Sequence, residues 1–439
     1  MKVTIIGAGL AGCEASYYLA QHGIEVDLIE QKPNDYTDAH TSPDFAELVC
    51  SNSLRSDELT CAVGLLKAEM RSLGSLIIEA ADSTKVPAGG ALAVDRNGFS
   101  GYITSKIQSH PKINIMTKKV ETLPDVPYLV IASGPLTNGA LANEVARITD
   151  SDSLHFYDAI APIIDADTID MSVSYKAARY GKGGDDYINC PMTREEYDVF
   201  YNALIAAEGA EVKGFEGNVF EGCMPIEEMA RRGHDTMLFG PLKPVGLPNP
   251  HAGGTIPYAV VQLRQDNATA TLYNIVGFQT HLKFAEQKRV FSLIPGLCNA
   301  EIVRYGVMHR NTFINSPAHL DKWYKNNLPD ALPSGGEVYF AGQITGVEGY
   351  VESSASGLAV GINIARQIMG KDKIDWTPQT AMGALGCYVS NASNNGRFQP
   401  MNINFGIMES LNERIKSKQE KNLKISQRAL DIIENLNFD

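Results

Sequence analysis

The sequence has no apolar run that approaches the length of a membrane span. Crossing a bilayer takes about 20 consecutive apolar residues, and charged or polar residues interrupt every hydrophobic stretch well before that length. The chain also opens with strand-forming residues rather than with a basic segment followed by an apolar core, so we expect no signal peptide. These two absences predict a cytoplasmic protein that does not bind membranes.

Cysteine is sparse and irregularly spaced. Seven cysteines occur among 439 residues, and no two of them form a CxxC pair. An odd, scattered set argues against a disulfide framework and against a zinc site. We therefore predict no metal, and we expect a functional cysteine to act as a nucleophile.

Positive charge is also scarce. The formal net charge of -13 disfavours non-specific binding of nucleic acid. Basic and acidic residues nearly balance between 211 and 330, however, and aromatic residues are interleaved with the basic ones there. This composition permits one face to dock RNA and stack a base, but it does not require it.

The first 30 residues carry the most informative motif. A short apolar strand runs into Gly7, Gly9 and Gly12, a helix former follows, and a second strand ends at Glu30. In such a βαβ unit the glycines allow a tight turn, a close approach of pyrophosphate and a close helix–strand contact, while the phosphates bind the free N–H groups of the helix start. The unit predicts dinucleotide binding, with contacts from Gly7, Ala8, Gly9, Leu10, Ala11 and Gly12.

Two charged side chains at the end of the second strand complete the predicted adenosine site. Glu30 is placed to accept hydrogen bonds from the ribose. Lys32 follows it, and the sequence leaves two interpretations open: contact with phosphate or ribose, or a solvated side chain.

Near the end of the chain, an apolar strand again runs into a turn of small residues. The strand reaches Gly342 and Gln343, the turn contains Glu348, Gly349 and Tyr350, and a helix rich in small residues follows. The N-terminus of that helix can stabilise negative charge on a reduced flavin. Because the sequence has no second GxGxxG for a nicotinamide domain, we predict a permanently held FAD that NAD(P)H visits.

Between these two segments the regular alternation of strand and helix signals ends. The length alone favours two domains. We predict an α/β fold in which an FAD-binding Rossmann-like domain of the glutathione-reductase type is interrupted by an inserted mixed α/β domain. The predicted ranges are 1–144, 145–330 and 331–439, the last including a C-terminal tail that is either a solvated helix or a contact for RNA. Within the first range, the apolar periodicity predicts one helix from a cap at Ser56 or Asp57 to Ala80.

Two cysteines stand in informative surroundings. Cys50 lies among hydroxyl and amide side chains, and Cys223 lies two residues before Pro225, where a helix is expected to begin. A helix N-terminus favours a thiolate, whereas the neighbouring Glu221, Glu227 and Glu228 oppose it. From the residues alone, each cysteine is either a nucleophile or a small buried side chain.

Eight segments together resemble one protein family. The chain is similar to the folate- and FAD-dependent tRNA (uracil-5-)-methyltransferases from residue 1 to about residue 406, in family order. The segments are GAGLAG (7–12), AELVCSNSLR (46–55), AVGLLK (62–67), VPAGGALAVDR (86–96), FEGCMP (220–225), GPLKPVGL (240–247), RYGVMHRNTF (304–313) and GVEGYVE (346–352).

The resemblance implies formation of 5-methyluridine in tRNA, at the T-loop. Methylenetetrahydrofolate would donate the carbon, and FAD recharged by NAD(P)H would reduce it. Cys223 would be the thiolate that adds to C6 of uracil and makes C5 nucleophilic, and Cys50 would act near the flavin. The folate would lie against the flavin at the turn 346–350.

Three alternatives remain at this stage. The same chemistry could act on ribosomal RNA. A flavin-dependent oxidoreductase of a small metabolite would share both FAD segments but would leave the two cysteines unexplained. A non-catalytic, flavin-containing RNA-binding protein would bind FAD and RNA without methyl transfer.

Overall fold

The computed structural model describes residues 1–37, 39–150, 154–181, 184–210, 224–394 and 398–436. Its elements begin with β1 (Lys2–Ile6), α1 (Leu10–Gln21), β2 (Glu25–Glu30), β3 (Ser53–Ser56), α2 (Ala62–Ser72), α3 (Leu76–Ser83), β4 (Lys85–Val86), β5 (Ala91–Val94), α4 (Arg96–Ser109), β6 (Ile113–Thr117), β7 (Tyr128–Ile131) and α5 (Gly139–Thr149). They continue with β8 (Leu154–Ala159), β9 (Ile163–Asp165), β10 (Tyr175–Lys176), β11 (Tyr187–Met192), α6 (Arg194–Ile205), α7 (Ile226–Arg231), β12 (Ala259–Gln265), β13 (Leu272–Ile275), α8 (Phe284–Phe291), β14 (Ile302–Arg304), β15 (Met308–Phe313), α9 (Ser316–His319), β16 (Glu337–Phe340), α10 (Tyr350–Ile368), α11 (Ala381–Ser390) and α12 (Lys418–Glu434).

A five-stranded parallel sheet carries the N-terminal motif. Its strand order is β16-β7-β1-β2-β6, and β1 and β2 pair in parallel from Lys2 opposite Glu25 to Ile6 opposite Ile29. The predicted βαβ unit is therefore confirmed. Strand β16 pairs in parallel with β7, so the chain leaves the sheet after β7 and returns to it 205 residues later, from 132 to 336.

Helices α1 and α10 pack with their backbones almost in contact. A Cβ atom at Gly357 would lie 2.2 Å from the carbonyl oxygen of Ala11, and one at Gly361 would lie 3.2 Å from Cα of Ala15. Only glycine permits the first of these approaches. The stripe of small residues seen in the sequence thus serves helix packing within the protein.

The chain between β7 and β16 builds a second layer of structure. Its main sheet has the order β10-β11-β12-β13-β9-β14 and is antiparallel throughout. Helices α6, α7 and α8 contribute to a separate hydrophobic core that includes Tyr197, Phe200 and Phe278. The expected mixed α/β insertion is confirmed, while the exact boundaries at 144/145 and 330/331 stay a prediction.

Strands β8 and β15 form an antiparallel ribbon over the parallel sheet. Its register places His309 opposite Asp158. The N–H of Thr312 donates to the carbonyl oxygen of Pro135 at 2.6 Å, and the N–H of Ile314 donates to that of Ile344 at 2.9 Å. Pro135 and Ile344 follow β7 and β16, so the ribbon lies at the carboxyl edge of the sheet, where open α/β sheets bind ligands.

The prediction of one helix from Ser56 or Asp57 to Ala80 is wrong. Two helices, α2 and α3, occupy this segment, and α2 begins only at Ala62 after the cap residue Cys61. Gly74 breaks the run with a φ of +73°, and the side chain of Ser75 caps α3 by accepting from the N–H of Ile78. Apolar periodicity continued across the break, but the Gly-Ser pair at 74–75 is the usual signal for the end of one helix and the start of the next.

Two absences apply to the ranges given above. No helix in them is long and apolar enough to cross a membrane. They also contain no group of three or more His, Cys, Asp or Glu side chains that could hold a metal ion.

Two buried carboxylates join helices that are distant in sequence. Glu69 of α2 accepts from the N–H groups of Ala381 at 2.7 Å and Met382 at 2.9 Å, at the start of α11. Glu14 of α1 accepts in the same way at the start of α3. Burial raises the pKa of each carboxyl to about 7, although the hydrogen bonds oppose the shift. The Glu69 contact ties the first and last parts of the chain together, and the Glu14 contact joins α1 to α3. The free-energy cost of burying each carboxylate depends on pH.

We expect the stability contributed by Glu69 to fall as the pH rises from about 4.5 to about 7. In the unfolded chain the carboxyl has its ordinary pKa near 4.5, so it loses its proton at a lower pH than the carboxyl in the folded protein does. Rising pH therefore favours the unfolded state. The shift corresponds to roughly 3 kcal/mol at most. Urea unfolding at several pH values should therefore show a shallower decline for Glu69→Gln than for the parent protein. The exposed Glu121 gives the control variant Glu121→Gln, and an unchanged slope in Glu69→Gln would contradict the assignment.

Candidate functional site

One cavity of about 500 Å³ runs along the carboxyl edge of the parallel sheet. Its walls come from the start of α1, the end of β2, the loop 46–55, the turn 133–138, the β8–β15 ribbon and the segment 342–353. It contains all but one of the described residues that the sequence predicted as site residues: Gly7, Ala8, Gly9, Leu10, Ala11, Glu30, Lys32, Cys50, Gly342, Gln343, Glu348, Gly349 and Tyr350. Residues that are widely separated in sequence thus meet in one place.

The three glycines of the first motif have different surroundings. A Cβ atom at Gly9 would have nothing within 4 Å, and Gly9 lines the cavity. A Cβ atom at Gly12 would lie 1.8 Å from the carbonyl oxygen of Gly7, and one at Gly7 would lie 2.5 Å from that of Ala132. Gly12 is absent from the cavity wall, so its role is to let α1 pack against the turn.

The start of α1 is suited to an anion. Gly9 is its N-cap, and no side chain caps the helix. Its first N–H groups lie in the wall of the cavity, with Leu10 and Ala11. The open space at Gly9 and the uncapped donors together fit the pyrophosphate of a dinucleotide.

Glu30 and Lys32 meet at the far end of this cradle. The Glu30 carboxylate accepts from the N–H of Ala8 at 2.7 Å and from the N–H of Lys32 at 3.0 Å. Each carboxylate oxygen has a further lone pair for a ribose hydroxyl. The Lys32 ammonium donates to the carbonyl oxygens of Ser42 and Asp44 and lies 3.6 Å from the Glu47 carboxylate. Lys32 is therefore buried and holds the loop 42–47, and the solvated alternative is wrong.

Cys50 also lies in the wall of this cavity. Its thiol points at the carbonyl oxygen of Ala159, 3.7 Å away. The N–H groups of Cys50 and Ser51 donate to the Tyr350 hydroxyl at 2.7 and 3.2 Å. Burial raises the pKa of Tyr350, so its hydroxyl stays neutral. The first residue of α10 thus fixes the backbone on which the thiol is carried.

A buried arginine from the inserted region holds the same loop. Arg264 donates from Nε to Oδ1 of Asn52 at 3.1 Å and from Nη2 to Oγ of Ser51 at 2.7 Å. Next to it, Arg96 forms an ion pair with Asp266 at 2.9 Å. Burial lowers the pKa of Arg264. Sequence reasoning missed these residues because their partners lie about 170 to 210 positions away.

Glu348 is the most perturbed carboxyl in the cavity wall. It is 5% exposed, and Nε2 of Gln343 donates to its Oε2 at 2.5 Å. Burial, followed by the nearby charge of Asp158, raises the pKa of Glu348 to about 8. At pH 7 this carboxyl carries a proton, and it can donate a hydrogen bond to a ligand.

The N-terminus of α10 faces the cavity beside an ion pair. Gly349, its N-cap, has a φ of +110°, which a glycine adopts without strain. Arg55 pairs with the fully buried Glu352 in the first turn of this helix. The buried Lys67 donates to the carbonyl oxygens of Leu54 and Ser56 on either side of Arg55 and so fixes its position.

Cys223 lies outside the described residues. The described chain resumes at Met224, and α7 begins after Pro225, as the sequence predicted. The N–H of Ile226 donates to the carbonyl oxygen of Gln279 at 2.7 Å, and Gln279 lines the cavity. The start of α7 is therefore attached to the cavity wall.

Known proteins resemble this chain along nearly its whole length. A sequence profile of the family described as "Glucose inhibited division protein A" matches residues 2–372. The methylenetetrahydrofolate–tRNA-(uracil-5-)-methyltransferase TrmFO of Listeria innocua is 58% identical over 433 residues, covering 98% of each chain. The enzyme of the same name from Staphylococcus carnosus is 57% identical and covers 99% of this chain and 98% of its own. The chain belongs to the TrmFO family.

A solved structure supports the fold of this TrmFO family member. GidA of Aquifex aeolicus, in its form II crystal, superposes with a TM-score of 0.69 at 15% identity, covering 100% of this chain and 74% of its own. At that identity the likeness concerns the fold alone. It agrees with the parallel sheet and the insertion described above.

We expect substitutions at Gly9 and Gly12 to separate cofactor binding from folding. Gly9→Val places its side chain in open space, so the variant should fold normally but purify with little flavin. Gly12→Val forces a side chain into the carbonyl group of Gly7, and overpacking of this kind costs roughly 1–3 kcal/mol or more. Absorbance at 450 nm and thermal unfolding measure the two effects. Full flavin occupancy in Gly9→Val would contradict the proposed pyrophosphate position.

Proposed function

We propose that this protein methylates C5 of a uridine in tRNA, with methylenetetrahydrofolate as carbon donor, FAD as bound cofactor and NAD(P)H as reductant. The observation that carries the proposal is one cavity whose wall contains both the dinucleotide cradle and Cys50. TrmFO relatives of 56–58% identity have the same activity in their names. We place the target in the T-loop, with a ribosomal RNA uridine as the alternative.

The cradle fits FAD. Gly7 to Ala11 and Glu30 would hold the pyrophosphate and the adenosine ribose, and Gly342 and Gln343 would hold the flavin end. Bound FAD in its reduced form supplies the hydride that brings the transferred carbon to the methyl level. Two carboxyl side chains of the cavity wall, Glu348 and Asp158, are both more than nine-tenths buried.

The two cysteines have separate roles in this proposal. Addition of the Cys223 thiolate to C6 of uracil forms an S–C6 bond and moves the C5=C6 electron pair towards the C4 carbonyl, which makes C5 nucleophilic. Cys50 is held by Tyr350 on the wall that the substrate carbon must reach. Glu348, protonated at neutral pH, offers a donor there.

We further propose that the inserted region, 145–330, carries the RNA contacts. Phe284 is 55% exposed and stacks on Tyr305 with ring centroids 4.6 Å apart. The exposed Lys283 and Lys288 lie on the same short stretch of chain. An aromatic surface with adjacent positive charge is suited to a single-stranded loop of RNA. A cytoplasmic location also stays a prediction.

Isotope transfer tests the function directly. We expect label from methylenetetrahydrofolate carrying ¹⁴C in its methylene group to appear in 5-methyluridine when NAD(P)H is present. Label from S-adenosylmethionine should not appear there. Parallel reactions with tRNA and with ribosomal RNA, followed by nucleoside mapping, identify the substrate. Transfer from S-adenosylmethionine would refute the proposal.

A mechanism-based trap separates Cys223 from Cys50. With 5-fluorouridine in the target RNA, no C5 proton can leave, so a thiolate that adds to C6 should remain attached. We expect the parent protein to form this adduct, and Cys223→Ala to bind RNA and FAD without forming it. Cys50→Ala should retain FAD and lose turnover.

The control for this experiment is Cys298→Ala. Cys298 is exposed and is not part of the cavity wall, so its replacement should leave both trapping and turnover at parent levels. Mass spectrometry of the digested adduct identifies the attached residue. An adduct on Cys50 in the Cys223→Ala variant would reverse the two assignments.

A further inference from the structure

Asn311 is a buried amide that the described residues of the protein do not satisfy. Its side chain is 1% exposed, and neither Oδ1 nor Nδ2 has a hydrogen-bond partner among the residues that the structure describes. Leaving a buried polar group unpaired costs free energy, so most such groups in folded proteins are paired. Because Asn311 lines the cavity, the missing partner is to be sought in a ligand.

Among the described residues, the other buried amides have at least one paired side-chain atom, whereas both amide atoms of Asn311 lack a partner. Asn363 donates to the carbonyl oxygen of Ala359 at 2.9 Å and accepts from the N–H of Ile374 at 2.9 Å. Asn52 donates to the carbonyl oxygens of Val94 and Gln265 and accepts from Arg264. Asn311 thus differs from these amides in that neither atom is paired, and it lines the cavity.

The backbone around Asn311 is fixed on both sides. It belongs to β15, which pairs with β8 along its whole length. The next residue, Thr312, is bound to Pro135, and Ile314 is bound to Ile344. Asn311 consequently lies near the turns that follow β7 and β16, in the same cavity wall as the dinucleotide cradle and Cys50. A loop residue could turn into water, but a side chain on this strand stays in the wall.

The chemistry of the amide restricts its partner. A carboxamide presents one acceptor and one donor side by side. The complementary group is a ring edge with adjacent N–H and C=O, which is a cyclic amide. Three heterocycles of the proposed reaction carry this edge: the isoalloxazine of FAD, the pterin of the folate and the uracil of the RNA. The first two belong to the small ligands that we place in this cavity.

We propose that Asn311 is a binding residue that pairs with the cyclic amide edge of the ring bound in this cavity, flavin or pterin. The inference rests on the proposed function, because that function supplies the two rings. It also assigns a binding role to the inserted region, which contributes β15 to a site otherwise built mainly from the parallel-sheet domain. The cost of the unpaired amide is then offset only when the ring is bound.

Replacement of Asn311 should have opposite effects on stability and on binding. In Asn311→Leu, two unsatisfied polar atoms give way to an apolar group of similar size, so the ligand-free protein should unfold at the same temperature or a higher one. The loss of two hydrogen bonds should weaken binding of one ring by about tenfold or more. If Asn311 had a merely structural role, its replacement would lower both the unfolding temperature and the affinity for the ring. Asn311→Ala is the second variant, in case leucine does not fit.

The measurement is thermal unfolding of the full-length protein after its bound flavin has been removed, without ligand, with FAD, and with FAD plus tetrahydrofolate, supported by fluorescence titration of each ligand. If FAD raises the unfolding temperature of the variant less than that of the parent, Asn311 binds the flavin edge. If only the further rise on adding tetrahydrofolate is reduced, Asn311 binds the pterin edge. Asn363→Leu is the matched control: it removes a buried amide whose atoms are paired, so it should lower the unfolding temperature without changing either affinity.

Three outcomes would overturn the inference. The first is unchanged affinity for both rings in Asn311→Leu and Asn311→Ala. The second is a loss of stability in both variants equal to that in Asn363→Leu. The third, seen in a parallel titration with the target RNA, is a loss confined to RNA binding, which would assign the amide to uracil. If the parent protein is stabilised by neither FAD nor tetrahydrofolate, the proposed function fails, whereas stabilised parent protein with unaffected variants refutes only the role of Asn311.

Discussion

The close contact between α1 and α10 is the constraint on which the cavity depends. Gly357 lets the backbone of α10 approach the carbonyl oxygen of Ala11. The two helices belong to the two halves of the parallel-sheet domain, which are separated in sequence by the 205 residues between β7 and β16. With the helices at this distance, the start of each lies in the wall of one cavity. Two helix N-termini therefore raise the electrostatic potential along the same groove. A larger residue at 357 would separate them, and the cavity would lose its shape before any ligand contact was altered.

A second set of contacts joins the insertion to this frame. The Arg264 guanidinium holds the loop that carries Cys50, Asp266 pairs with Arg96, and Ala159 accepts from the thiol. Because Arg264 and Asp266 are buried, their pairing and hydrogen bonds must offset the cost of desolvation. Such contacts hold their partners at defined positions, because moving one partner away would leave the other as an unpaired buried charge. The two parts of the chain are thus fixed with respect to each other at the reactive end of the cavity.

Local patterns in the sequence predicted the local structure well. The strand, glycine turn, helix and second strand of residues 1–30 follow from periodicity and turn chemistry, and the structure has them with the predicted acid at the end of β2. The helix break at Gly74 was missed because apolar periodicity was given more weight than a Gly-Ser pair. The contributions of Asp158, Arg264 and Asn311 could not be predicted in this way. Each depends on a strand register or a contact that spans a large part of the chain, and single-sequence patterns carry no information on such pairings.

The hydroxyl of Tyr350 connects the start of α10 to the backbone that carries the Cys50 thiol. It belongs to the first residue of α10, at the flavin end, and it accepts from the backbone of Cys50 and Ser51. Any ligand that shifts the start of α10 therefore also shifts the thiol. Thermodynamic linkage makes such an effect reciprocal: a chemical change at the thiol alters the free energy of occupying the helix end by the same amount. The start of α10 and the backbone that carries the thiol are thus joined through one hydroxyl group.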